Sequence, residues 1–295
     1  MERRDAFSGC HPLVQLVYFA LVLVLGMFVM HPACLLASLA CAAGYLTVLR
    51  GGKALGRLAR VLAPMALMAA VVNPAFNHRG VTVLGHFPSG NPLTLESILY
   101  GLAAAVMLAA VVLWCTCCSA VMTSDRVLYL VGRGAPSLAL LLSMVLRFLP
   151  RCRAQYQAVR EAQMGLSGPP RGGLERARMT GKLASVTVTW ALENAVAAAE
   201  SMKSRGYGLP GRTAYSRYRF DSRDRRVLGW VLLWGGVCLW GWAAGALGWH
   251  WFPMVGGAVS PAAGACLVAQ LALGLTPVIL HAKEARTWKR LHSAI

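Results

Sequence analysis

Five stretches of the chain are apolar at almost every position: 13–30, 33–49, 98–122, 227–249 and 262–280. Each approaches the roughly 20 apolar residues that cross a bilayer as a helix. A sixth stretch, 61–72, is shorter and has Arg60 at its lip; it is predicted to lean on its neighbours or to sit re-entrant. The first stretch runs into His31-Pro32, a turn, and not into a small-residue cleavage site, so it reads as a retained helix. Gly241 and Gly245 give the fifth long stretch the G-x-x-x-G spacing of closely packed helices. The loop over 73–94 is rich in turn formers, with room for one short strand at 81–84.

Residues 123–226 keep a helical period without the length to span. Thr123-Ser124-Asp125 is a helix start and Pro136 opens a second helix. Along 135–149, Leu138, Leu141, Leu142, Val145 and Leu149 fall in one stripe with Arg147 opposite, while Leu140 and Leu146 blur the pattern. After Pro150 the sequence turns polar over 151–163, and Ser167-Gly-Pro-Pro-Arg-Gly-Gly173 stops it at a hinge. A third helix is expected over 174–204, thinned by Ala191, Ala195, Ala197, Ala198 and Ala199. It ends at Ser204-Arg205-Gly206, where Gly206 suits the left-handed position past a helix terminus.

Composition sharpens this picture. The chain is 57% hydrophobic and only 14% charged, with a mean hydropathy of +0.55, whereas soluble domains carry about 25% charged residues. The net charge of +18 would raise nucleic acid as a partner, but the placement of the cations speaks otherwise. With the N-terminus inside, 28 of the 29 Lys and Arg residues fall on inner segments and Arg79 alone on the outer side. That is the positive-inside asymmetry of a membrane protein, and it accounts for the basicity without nucleic acid. The expectation is an all-α polytopic integral membrane protein of about six spans with both termini cytoplasmic. It divides into membrane helices over 1–122, a cytoplasmic helical domain over 123–226, and membrane helices with a tail over 227–295.

Chemistry-bearing patterns are sparse. The nine cysteines lie mostly in apolar runs, where Cys acts as a small hydrophobe. Cys115, Cys117 and Cys118 cluster, but no His or second Cys pair stands near to complete a metal site. His78 and His86 read as solvated loop residues. Gly206-x-Gly208-x-x-Gly211 follows a helix and not a strand, so it is a poor dinucleotide fingerprint. Gly52-Lys53 and Gly181-Lys182 lack the rest of a P-loop, and no paired carboxylates or nucleophile–base set is evident. Gln270 is the most polar group at membrane depth and reads as helix glue. No cofactor, metal site or catalytic residue is expected.

Four stretches together resemble a known family. They are His11-Pro12-Leu13; Asn73-Pro-Ala-Phe with Leu93-Thr-Leu-Glu96; Thr123-Ser-Asp125 with Leu146-Arg-Phe-Leu-Pro150 and Val159-Arg-Glu-Ala-Gln163; and Glu200-Ser-Met-Lys-Ser-Arg-Gly-Tyr207 with Arg212-Thr213. Over roughly residues 10–245 the chain resembles the transmembrane coupling subunit, or T component, of energy-coupling-factor ABC transporters, within the group of the cobalt/nickel permease subunit. The resemblance implies a bacterial or archaeal cell membrane and no enzymatic activity of its own. It implies as partners two ATP-binding subunits that hydrolyse ATP and a small membrane substrate-binding subunit for a vitamin or a cobalt/nickel ion.

The family docks its ATPases through two Ala-Arg-Gly motifs at helix tips. Here the second reads Ser204-Arg205-Gly206. The first is degenerate, Met164-Gly165-Leu166-Ser167, which leaves Gly165, Leu166 and the preceding Arg160 to serve it. The stripe Leu138, Leu141, Leu142, Val145 and Leu149 is the expected contact for the substrate-binding subunit. Two other readings stand beside this one: a membrane enzyme using Cys115, Cys117 and Cys118, and a membrane scaffold without transport.

Overall fold

The computed structural model describes residues 5–77, 80–86, 92–168, 170, 172–210, 218–257 and 260–292. His78, Arg79, Arg171, Arg212 and Thr213 lie outside them. Among the described residues there are nine α-helices, one 3₁₀ turn at Phe7–Gly9 and two small antiparallel hairpins. The chain divides into a unit of Met1–Arg126 with Tyr218–Ile295 and a unit of Val127–Arg217.

The first unit holds α1 (Pro12–Phe28), α2 (Pro32–Arg50), α3 (Gly52–Phe76), α4 (Leu95–Val121), α8 (Ser222–Ala243) and α9 (Pro261–His292), together with the start of α5 (Ser124–Gly134). Helices α2, α3, α4, α8 and α9 are long and apolar enough to cross a membrane. The protein is thus a multi-pass, membrane-type helical bundle. Two lengths differ from expectation. The doubtful stretch at 61–72 belongs to a continuous 25-residue helix, because the cationic turns before it are helical too and Pro64 and Pro74 do not end it. The first apolar stretch forms only 17 residues of helix, about 26 Å at ~1.5 Å per residue, since Val29 turns to an extended conformation ahead of Pro32.

Helices α4, α2, α9, α8 and α1 touch in a closed circuit, and α3 packs from outside on α4 and α2. The core is drawn from one face of each circuit helix: Val14, Tyr18 and Val22 on α1, Cys41 and Tyr45 on α2, Trp114 and Cys117 on α4, Val231 and Cys238 on α8, Ala269 and Leu273 on α9. The helices are apolar all round, so the inward face is set by small and polar residues. A Cβ on Gly241 would collide with Cys266 of α9, and Trp114 donates its indole N–H to Ser38 Oγ at 3.0 Å. Gln270 donates to the Cys34 carbonyl at 3.2 Å, bridging α9 and α2. The G-x-x-x-G pair therefore splits in role. Gly241 packs, while Gly245, at φ +75°, ends α8.

One end of the bundle is tied by a segment before α1 that hydropathy did not single out. Asp5 is buried, accepts the Tyr45 hydroxyl at 2.9 Å and pairs with His281 at 3.2 Å. Gln15 donates to the carbonyls of Phe7, Ser8 and Cys10 at 3.0, 3.2 and 3.0 Å. Arg126 donates to Gln15 Oε1 at 3.1 Å and to the Ser8 carbonyl at 2.6 Å, and also reaches the Val121 carbonyl. Arg223 donates to the Ala6 carbonyl at 2.6 Å. His11 caps α1 through Nδ1, which accepts from the Leu13 N–H at 3.2 Å, and its own N–H meets Asp224 at 3.1 Å. Buried carbonyls outside a helix need donors, and these side chains supply them.

At the other end, the hairpin of β1 (Val83–His86) and β2 (Pro92–Thr94) replaces the lone strand expected at 81–84. It leads into α4, where Glu96 accepts the Thr82 hydroxyl at 2.8 Å and the Thr82 N–H at 3.2 Å.

Candidate docking surfaces

The second unit is dominated by α6 (Pro136–Ser167) and α7 (Gly173–Ser204), each of 32 residues. Pro150 lies inside α6 and does not end it. Pro150 is exposed, so the carbonyl it cannot satisfy faces outward, and the apolar and polar stretches form one rod. Gly168, at φ +68°, ends α6.

The two rods form a hairpin. Phe148 stacks on Trp190 with ring centroids 5.8 Å apart and planes 12° from parallel. Leu183 is buried, and Gln163 of α6 shares a groove of about 250 Å³ with Glu175, Arg178, Met179 and Lys182 of α7. The C-terminal half of α6 thus lies on the N-terminal half of α7. Beyond the Phe148–Trp190 pair the helices are largely bare, and α7 is exposed at every position from Leu192 to Ser201.

The stripe on α6 falls on this bare half. Leu138, Leu141, Val145 and Leu149 are exposed, Leu141 by 60%, and Leu142 is half-buried. Val188, Leu192 and Val196 of α7 are exposed as well, Leu192 by 63%. The sequence reading missed these three. Their i, i+4, i+8 spacing is present in the sequence, but the alanines around Leu192 and Val196 make that stretch read as a thin helix and not as an apolar face. Apolar surface costs about 25 cal/mol per Å² in water, so both rods require an apolar cover.

The two tips differ in build. At the C-terminus of α7 the Gly206 N–H donates to the Lys203 carbonyl at 3.0 Å and the Tyr207 N–H to the Met202 carbonyl at 3.0 Å. This is a Schellman closure, and Gly206 takes the φ of +79° that it demands. A Cβ there would also press on Leu209 at 3.1 Å. Ser204 returns its hydroxyl to the Ser201 carbonyl at 2.9 Å. Because backbone groups close the helix end, the Arg205 side chain is not consumed in capping. It is exposed and meets no ionic partner among the described residues.

The first tip is the last two turns of α6. Arg160, Gly165 and Leu166 are exposed, Leu166 by 82%. A Cβ on Gly165 would meet nothing. Since α6 and α7 run antiparallel, Leu166 sits at the hairpin corner and Arg205 at the end of the opposite arm.

The cysteine cluster does not converge. Cys117 is buried with its thiol toward the Ala42 carbonyl at 3.9 Å, Cys115 is exposed and Cys118 half-buried, so the three leave α4 in different directions. Among the described residues no three His, Cys, Asp or Glu side chains gather to hold a metal ion. No protein-family model and no curated protein matches the chain.

Proposed function

We propose that the chain is the transmembrane coupling component of an energy-coupling-factor ABC transporter. In this reading six helices span the cell membrane of a bacterium or archaeon, with both termini in the cytoplasm, and the Val127–Arg217 unit lies on the cytoplasmic side. ATP is bound and hydrolysed on two separate subunits. A small membrane protein binds the transported vitamin or cobalt/nickel ion.

The observation that carries the reading is the build of the α7 tip: a helix end closed by its own backbone that presents an unpaired arginine. A guanidinium offers five donors in a planar fork, suited to a carboxylate or to carbonyls in a groove. The rod behind it is stiff and bears an exposed apolar face, formed with α6, for a hydrophobic partner. Motion applied at Arg205 is thereby delivered to Leu138, Leu141, Leu142, Val145 and Leu149. Arg160, Gly165 and Leu166 make a second, weaker contact at the hairpin corner.

The test is co-purification of the tagged chain with its ATPase pair and small membrane partner. Arg205→Ala and Arg205→Glu are expected to lose the ATPases and uptake while the chain stays inserted. A severed charge-assisted interface contact costs about 2–5 kcal/mol. Arg205→Lys should fail as well if recognition is bidentate. Wild-type ATPase binding by Arg205→Ala would refute the docking role.

A further inference from the structure

The span-length helix least covered by the rest of the chain is α3, and its surface changes character along one line. Stepping by three or four residues, Lys53, Arg57, Arg60, Pro64, Met68 and Val71 share a face, and all six are exposed. The first three are cations and the rest apolar. Arg50, exposed at the end of α2, adds a fourth charge next to the α2–α3 turn. No acidic residue occurs in the sequence between Asp5 and Glu96, and none of the four cations has an ionic partner among the described residues. The first turn of α3 also lacks a side-chain cap, so its N–H groups add positive potential at the same place.

Lengths agree with this division. Residues 61–76 rise about 24 Å at ~1.5 Å each, short of a hydrocarbon core of about 30 Å, so the stem of Arg60 lies at the edge of the apolar layer with its head among the headgroups. Residues 53–60 rise about 12 Å, comparable to a headgroup layer. A lipid beside α3 would thus place its chains on Met68 and Val71 and its phosphate between Lys53, Arg57 and Arg60.

We propose that this face of α3 is a binding site for an anionic phospholipid, with Lys53, Arg57 and Arg60 holding the phosphodiester headgroup and the apolar turns after them holding the acyl chains. The inference rests on the bundle being inserted in a bilayer and not on the docking of ATPases. Phosphodiester charge is common to all phospholipids, so discrimination acts through net charge: a zwitterionic choline headgroup brings a cation into a cationic site, and a glycerol headgroup does not.

The experiment is native mass spectrometry of the detergent-solubilised full chain with added phosphatidylglycerol or phosphatidylcholine. The wild type should retain phosphatidylglycerol roughly five- to tenfold better, the effect of about one cation at an anionic surface, because the phosphate that both lipids carry engages the site in either case. The triple variant Lys53→Gln, Arg57→Gln, Arg60→Gln should bring the two lipids close to parity. A matched triple on the far end of α9, Lys283→Gln, Arg286→Gln, Lys289→Gln, should keep the preference. Equal loss in both triples, or no loss in the α3 triple, would overturn the site in favour of diffuse charge alone. A measurement that leaves the cations intact guards against misfolding: Met65→Trp in vesicles in which a minority of the lipid is brominated, read as the signal it adds to that of the nine native tryptophans of the unsubstituted chain. That added fluorescence should be quenched more by brominated phosphatidylglycerol than by brominated phosphatidylcholine, and the excess should shrink in high salt. Equal quenching would overturn the proposal.

Discussion

Asp5 gives the sharpest test of how the bundle end is held. Its carboxylate accepts the hydroxyl of the fully buried Tyr45 at 2.9 Å and faces His281 at 3.2 Å. Asp5→Ala leaves the Tyr45 hydroxyl without an acceptor, which costs about 1–3 kcal/mol for a buried group. The His281 pair adds little, because that side chain is 33% exposed and water screens it. For a chain of this size the loss corresponds to a fall of roughly 2–10 °C in Tm. Asp5→Asn keeps an oxygen for Tyr45 and removes a buried charge, so it should stay within about 1 kcal/mol of wild type. Burial raises the Asp5 carboxyl above its ordinary range, against the lowering by Tyr45 and His281. Folding therefore favours the protonated acid. Its contribution is complete below the ordinary carboxylate range and is lost as pH rises through the raised value. In a His281→Gln background, thermal unfolding in detergent should show stability falling as pH rises, and Asp5→Asn should flatten that dependence. If Asp5→Asn destabilises as much as Asp5→Ala, the charge and not the hydrogen bond holds the segment, and the reasoning fails.

Three further outcomes are expected. Gln15→Leu takes the amide from the carbonyls of Phe7, Ser8 and Cys10, of which Phe7 keeps the Cys10 N–H and Ser8 keeps Arg126, so it should lower stability by about 1–3 kcal/mol in chemical denaturation; a neutral result would mean that water replaces the amide. Gly241→Val forces a side chain into Cys266 and should cost about 1–3 kcal/mol, whereas Gly236→Ala, with open space around it, should have little effect on Tm. On the proposed coupling function, Leu142→Asp should release a small membrane partner in co-purification while the ATPases stay bound; loss of the ATPases alone would reverse the assignment of faces.

Hydropathy and charge placement were enough to read a helical membrane protein, because an apolar run of some 20 residues has few other stable fates. The terminators of the rods were legible for a similar reason: Gly206 is demanded by backbone sterics wherever a helix closes in this way. The full length of α3 was not legible, since the cationic turns before residue 61 end the apolar run without ending the helix. Which face of each span turns inward was hidden as well. In a bilayer both faces are apolar, and the choice falls to contacts such as Gly241 with Cys266 or Trp114 with Ser38, between residues far apart in sequence. The same holds for Asp5, Gln15 and Arg126. Each is an ordinary polar residue along the chain, and only packing brings Tyr45, His281 and the carbonyls of residues 7–10 within reach. The sequence by itself determined that there are membrane-type helices and, between them, helices bearing an apolar stripe and an arginine tip. The tertiary structure decided which surfaces are left uncovered, because exposure depends on neighbours that local sequence does not encode.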